Sequence, residues 1–154
     1  MKEQSPGPGR VVPGALLAVA ATAVVYAPQL VSDAGDVSRV PGPVTAVWLI
    51  LLLAAAPTVA ALLNRHTPAA TSALRAMAVG APQLPTSFGL VALDVWLEVR
   101  SGYLLAESGE EAMAYGIGTL LGAVGGLVLA LLVAVAAYLG ARTARTADLA
   151  GTAR

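Results

Sequence analysis

The chain has 154 residues, of which 57% are hydrophobic and only 12% are charged. A soluble domain carries about 25% charged residues, so this composition points to a membrane protein rather than to an ordinary soluble domain. The absence of cysteine excludes disulfides, thiolate metal sites and cysteine nucleophiles. A formal net charge of zero gives no reason to expect a nucleic-acid partner.

Apolar segments of 20 to 25 residues occupy most of the sequence. About 20 residues are needed to cross a hydrocarbon core, and the backbone there must be helical because lipid offers no hydrogen-bond partner. The sequence therefore predicts an all-α membrane protein, a bundle of four transmembrane helices with up-down-up-down topology. The predicted spans are 11–31, 44–63, 77–97 and 116–140, and the tails are 1–10 and 141–154.

The distribution of basic residues predicts the orientation of the bundle. Seven basic residues fall on one side of the predicted spans and two on the other, which places both termini in the cytoplasm. Trp48 and Trp96 fall at the opposite, outer ends of their spans, as expected for an interfacial aromatic belt. The Ala- and Arg-rich composition is typical of a GC-rich bacterium, so we expect the bacterial cytoplasmic (plasma) membrane. The cytoplasmic set is Lys2, Arg10, Arg65, Arg75, Arg142, Arg145 and Arg154, and the outer set is Arg39 and Arg100.

An alternative interpretation makes the first span a cleaved signal peptide. It has a basic start, an apolar centre and an Ala21-Thr22-Ala23 triplet that is similar to a cleavage site. The apolar segment continues to Val31, however, and is long enough to cross the membrane. The remaining spans are the same in either interpretation.

The third span is unusual because Pro82 and Pro85 lie three residues apart beside Gln83, Thr86 and Ser87. We expect the helix to bend or break there, with Gln83 turned towards the protein interior. One interpretation is a discontinuous helix whose freed carbonyls and polar side chains line a solute or ion path. The other is a structural kink in which hydroxyl groups satisfy the freed backbone carbonyls.

Asp94 is the one carboxylate within a predicted span, and Glu98 lies one turn further on the same helix face. Acids at membrane depth are candidates for function. Asp94 lies near the outer end of its span, however, and Arg100 is close enough to neutralise one of the two acids. The alternatives are an interfacial acid, solvated or paired with Arg100, and an entry site for a cation or proton.

Small residues recur every fourth position in the last span, which lets another helix approach closely in lipid. We expect the closest helix contact near Gly122, either with the similarly spaced Gly14, Ala18 and Thr22 of the first span or with another copy of the chain. The stripe consists of Ala114, Gly118, Gly122, Gly126, Ala130 and Ala134.

Two functions remain from the sequence. The first is a membrane protein without catalytic machinery that packs with another membrane component or with itself, and the second is a small permeation protein using the third span and Asp94. We expect no enzyme activity, cofactor, metal or nucleic-acid partner, and a lipid bilayer as the surroundings. The size and span number are similar to those of small multidrug transporters, but the first span lacks their membrane-embedded glutamate. Residues 100–115 are predicted to form a short amphipathic helix on the outer surface.

Overall fold

The computed structural model describes residues 11–34, 42–102 and 109–152, and every regular element within these ranges is an α-helix. Helices α3 and α4 share one apolar segment, so four helical segments of the described chain are long and apolar enough to cross a membrane. The prediction of an all-α protein with four helices long and apolar enough to cross a membrane is confirmed for the described chain, and these helices indicate a multi-pass membrane protein. The helices are α1 (Val11–Ala34), α2 (Gly42–His66), α3 (Ala73–Gly80), α4 (Gln83–Ser101) and α5 (Glu110–Thr152).

The third span is interrupted at Ala81 and Pro82, between α3 and α4. Pro85 has no amide hydrogen, so the Ala81 carbonyl loses its usual i+4 partner. It instead accepts a hydrogen bond from the amide of Leu84 at 3.2 Å, as in a tighter helical turn. Gln83 is 0% exposed and therefore faces the protein interior. The predicted break near the two prolines and the inward direction of Gln83 are both confirmed.

Helix α5 is much longer than a membrane crossing requires. Its 43 residues correspond to about 65 Å at 1.5 Å per residue, whereas the hydrocarbon core is about 30 Å thick. It begins after Gly109, which has a φ of 78°, and Glu110 and Glu111 in its first turn complement the positive end of the helix dipole. The helix continues past the apolar segment to Thr152, and this extension is mostly exposed from Arg142 onward.

The core is built from small side chains, which bring the helix axes close together. A Cβ added at Gly80 would overlap the backbone carbonyl of Ala130, and one added at Gly140 would overlap that of Ala61. Helix α5 therefore touches the backbones of α3 and α2 at these two glycines. The buried cluster around them contains Ala18, Ala56, Ala60, Ala70, Ala76, Val79, Leu129, Val133, Ala137 and Ala141.

The small-residue stripe of α5 packs inside the chain against the third span. A Cβ at Gly122 would lie 3.2 Å from Phe88 Cα, and one at Gly126 would lie 3.1 Å from Leu84 Cα. Gly118 of α5 faces the side chains of Val91 and Val95, which also belong to α4. Further along the stripe, Ala130 and Ala134 meet Gly80 of α3.

The expectation that the stripe packs against α1 is therefore wrong. Ala18 lies instead in the cluster with Ala56 and Ala60 of α2, and the atom closest to a Cβ at Gly14 is Asn64 Nδ2, at 3.9 Å. The spacing of small residues predicts which face of α5 packs closely, but it does not predict which helix packs there. In the structure that helix is mainly α4. Among the described glycines, the two closest helix approaches both involve α5, as expected for the last span, but they lie at Gly80 and Gly140 rather than at Gly122.

Asn64 fixes the connection between α2 and α3. Its side chain is 2% exposed and donates a hydrogen bond to the Ala60 carbonyl at 2.8 Å. Its Oδ1 accepts hydrogen bonds from the amides of Ala69 and Ala70, at 3.2 and 3.1 Å. A buried polar side chain thus satisfies backbone groups that a loop in an apolar setting would otherwise leave unpaired.

Part of the sequence prediction falls outside the described residues. Of the predicted surface helix at 100–115, residues 103–108 are not described, residues 100–101 belong to α4 and residues 110–115 belong to α5. Residues 1–10, 35–41 and 153–154 also lie outside the described ranges.

Candidate functional site

A half-open cavity of about 840 Å³ lies among α1, α2, α4 and α5, and on its open side Leu53, Ile117 and Leu121 are 44%, 52% and 62% exposed. Small-molecule sites in proteins commonly enclose about 300–1,000 Å³, with mainly apolar walls and a few polar groups. Here Asp94, Glu98 and Glu110 line one end, which we call the acidic end, while Thr22 and Leu129 line the buried end. The apolar walls include Leu49, Leu52, Leu53, Leu90, Val91, Val95, Met113, Ile117 and Leu121, together with Gly118, Gly122 and Gly125.

Tyr26 holds Asp94 in position across the cavity wall. The Tyr26 hydroxyl donates a hydrogen bond to Asp94 Oδ2 at 2.9 Å, and the tyrosine itself is 8% exposed. This contact joins α1 to α4 over 68 positions of sequence. Asp94 is therefore an oriented, half-buried carboxylate rather than a freely solvated surface acid.

Trp48 completes an aromatic pair on the same wall. Its ring lies edge-on to the Tyr26 ring, with centroids 5.5 Å apart and an interplanar angle of 60°. Its indole N–H donates to the Val25 carbonyl at 2.8 Å, one turn before Pro28 inside α1. Both rings are thus fixed by hydrogen bonds at their polar atoms, and both line the cavity.

Thr22 and Gln83 meet beyond the buried end. Thr22 Oγ1 lies 2.8 Å from Gln83 Oε1 and 3.2 Å from the Ala18 carbonyl, while Gln83 Nε2 is buried and has no hydrogen-bond partner. The single Thr22 hydroxyl proton can make a good hydrogen bond to only one of these two acceptors. The oxygen and nitrogen of a glutamine side chain are assigned from the hydrogen-bond network, so they can be exchanged. With the amide turned over, Thr22 donates to Ala18 while Gln83 Nε2 donates to Thr22. We favour this orientation because it gives the buried amide a donor bond.

The remaining polar residues predicted in the third span divide between the cavity and the helix itself. Ser87 and Glu98 line the cavity with Asp94. The Thr86 hydroxyl instead donates to the Pro82 carbonyl at 2.7 Å, which also accepts from the Thr86 amide at 3.2 Å and is not one of the carbonyls that the prolines leave free. Gln83 reaches the cavity only through its contact with Thr22.

Arg100 lies on a different face of α4 from the two acids. Its guanidinium carbon is 5.3 Å from the centroid of the Trp96 ring, which lies two residues beyond Asp94 and so about 200° around the helix. This cation–π contact directs Arg100 towards the exposed side of the helix, where Trp96 is 45% exposed.

Two residues of the cavity wall are not predicted as site residues from the sequence. Tyr26 was not singled out, and Trp48 was interpreted only as an interfacial aromatic residue. The available signal was the spacing of Thr22 and Tyr26, which places two hydrogen-bonding side chains on one face of an apolar helix. Their partners on α4 follow from helix packing, which no local pattern reveals.

The fold and cavity define a small multi-pass helical membrane protein with a pocket of ligand size. No family model matches the chain, and no curated protein or solved structure is significantly similar to it. Because no similar protein indicates a function, the cavity is the feature on which we base a proposal.

Proposed function

We propose that this chain is a membrane protein without catalytic machinery that binds a small solute in the cavity among α1, α2, α4 and α5. The single observation that carries this proposal is the cavity of about 840 Å³ in a chain of 154 residues. Helices α2 and α5 touch backbone to backbone at Ala61 and Gly140, but the cavity lies between them beside Leu53 and Leu121. The cavity is half-open, so a solute can enter it while the bundle stays folded.

Permeation is the second candidate function, and a solute bound in this cavity would be one step of it. Asp94 lines the cavity, and Gln83 contacts Thr22 at its buried end. Beyond Thr22 the route is closed by the contact with Gln83 and by the alanine-rich core. Passage of a solute therefore requires the Thr22–Gln83 contact to open. The interruption at Ala81 and Pro82 lies next to this contact and supplies a natural hinge.

Packing with another membrane component, or with a second copy, is the less favoured proposal. The stripe of Gly118, Gly122 and Gly126 is already covered by α4. A partner would have to use the apolar side chains that face lipid, and every membrane helix presents such side chains.

We propose an up-down-up-down topology with both termini in the cytoplasm of a bacterial cell, so that the acidic end faces outwards. The seven-to-two distribution of basic residues supports the orientation. The contact between Trp48 and Val25 supports antiparallel α1 and α2, because Gly14 near the start of α1 lies beside Asn64 near the end of α2.

The test fills the cavity without disturbing the packing. Gly125 lines the cavity and Gly116 does not, and a Cβ at either meets nothing within 4 Å. Gly125→Phe therefore blocks the cavity, and Gly116→Phe is a matched control on the same helix. Both are made with Trp96→Phe, so that Trp48 is the one remaining tryptophan.

The probes are three small aromatic compounds of one shape: benzyltrimethylammonium, neopentylbenzene and phenylmethanesulfonate. Each is titrated into protein in lipid nanodiscs while Trp48 emission is recorded, with concentrations corrected for partition into protein-free discs. We expect at least one probe to give a saturable change in the parent and in Gly116→Phe but not in Gly125→Phe. The proposal is contradicted if no probe saturates, or if Gly125→Phe binds as the parent does.

A further inference from the structure

We infer that the solute is a small organic cation with apolar substituents, held by Asp94 together with the rings of Tyr26 and Trp48. This inference rests on the proposed function, because it names the chemical class of the solute that the same cavity takes.

The charge of the described lining residues favours a cation. Asp94, Glu98 and Glu110 contribute three carboxylates to the wall, and the described lining residues include no lysine, arginine or histidine. Electrostatic interactions are stronger beside apolar walls than in water, so the wall selects solutes by the sign of their charge. The bond from Tyr26 fixes one carboxylate in advance of binding, which lowers the cost of ordering it.

The aromatic pair favours the same sign of charge. The faces of Trp and Tyr rings attract cations, and a quaternary ammonium group is recognised well by such rings. Three of the four side-chain donors among the described lining residues are already used: Trp48 N–H bonds to Val25, the Tyr26 hydroxyl to Asp94, and the Thr22 hydroxyl within its own polar cluster. The fourth is the Ser87 hydroxyl. The wall thus offers aromatic rings and carboxylates, which suit a cation rather than an anion.

The apolar part of the wall indicates which substituents the cation carries. Apolar side chains line the half-open space between the acidic end and the buried end, among them Leu49, Leu53, Val91, Ile117 and Leu121. Burial of apolar area there contributes about 25 cal/mol per Å², so aromatic or branched alkyl groups bind better than a bare ammonium ion. The solute is therefore amphiphilic, with its cationic centre beside Asp94.

The decisive experiment compares benzyltrimethylammonium with neopentylbenzene, which have the same shape and differ by one charge. In Trp96→Phe protein in nanodiscs, we expect the cation to saturate the Trp48 signal at a concentration at least about tenfold lower than the neutral compound, and phenylmethanesulfonate not to saturate it. Asp94→Asn should weaken cation binding at least about tenfold while leaving the neutral compound unchanged. Glu111→Gln is the matched control, because it removes one acid that does not line the cavity.

Each result either supports or overturns the inference. Equal binding of the cation and the neutral compound, or tighter binding of the sulfonate, overturns it while the proposed function stands. Absence of saturable binding by all three probes overturns both. If Asp94→Asn does not fold, the selectivity of the parent protein among the three probes still decides the outcome, and Tyr26→Leu supplies a second variant expected to lose the preference for the cation.

Discussion

The Thr22 hydroxyl and the Gln83 side-chain amide lie 2.8 Å apart and join α1 to the first turn of α4. Both side chains are buried, with exposures of 1% and 0%. The two residues depend on each other unequally. Thr22 is within hydrogen-bond distance of the Ala18 carbonyl as well as of Gln83, whereas the Gln83 amide has only Thr22 as a side-chain partner among the described hydrogen bonds.

Because Thr22 has a second partner and Gln83 does not, the two single substitutions should differ in how much stability they cost. Thr22→Val should lower the free energy of unfolding by about 1–3 kcal/mol, because it leaves a buried amide without a partner. Gln83→Met should cost less, since Thr22 keeps its bond to Ala18 and methionine fills a similar volume. Thermal unfolding in detergent measures both, and the double variant should cost less than the sum of the two. A larger loss for Gln83→Met than for Thr22→Val would contradict this account of the pair.

Gly80→Ala should destabilise the protein although alanine is the better helix former. A Cβ at Gly80 overlaps the Ala130 carbonyl, so α3 and α5 must move apart, at an expected cost of about 1–3 kcal/mol. Gly116→Ala is the control, because its Cβ meets nothing within 4 Å and it should stabilise the helix by up to about 1 kcal/mol. Unfolding midpoints in the same detergent compare the two, and equal midpoints would show that the close contact is absent in solution.

Gly122→Leu tests whether the stripe packs inside the chain. Its side chain would push against the backbone of α4 at Phe88, so we expect a lower unfolding midpoint with no change in mass per particle. Gly125→Leu projects into the cavity, where a Cβ meets nothing within 4 Å, and should leave the midpoint close to that of the parent. Light scattering and thermal unfolding report the two properties separately. Dissociation of an oligomer by Gly122→Leu alone would place the stripe between copies instead.

The proposed topology is tested with single cysteines, which are informative because the chain contains none. Cysteine at Thr143 should resist a membrane-impermeant thiol reagent in intact cells and react after lysis. Cysteine at Ser108 should react in both conditions. The reverse pattern would place the acidic end of the cavity in the cytoplasm.

The spans and the break in the third span were predictable because each depends on local chemistry. An apolar segment long enough to cross lipid must be helical, and two prolines three residues apart remove backbone donors wherever they occur. The inward direction of Gln83 follows similarly, because an amide facing lipid would lose its hydrogen bonds.

The partner of the stripe and the Tyr26–Asp94 contact were not predictable in this way. Small residues at every fourth position define one face of α5, but α1 and α4 both offer surfaces that could cover it. Tyr26 and Asp94 meet only because α1 and α4 cross at a particular register, and that register depends on the packing of the other helices. Sequence patterns describe single helices, whereas the cavity is a property of four of them.

The unbroken course of α5 to Thr152 offers a practical route to an experimental structure. At 15.4 kDa, most of it inside a detergent or lipid shell, the protein presents little mass for aligning single-particle images. The twelve residues after Gly140 extend α5 by about 18 Å beyond its apolar segment, mostly exposed. A larger helical protein joined in register after Thr152 would share one continuous helix with the bundle and hold a fixed orientation to it. Such a fusion would serve as an alignment marker at the end of α5 opposite Glu110, which leaves the acidic end of the cavity open to added ligands.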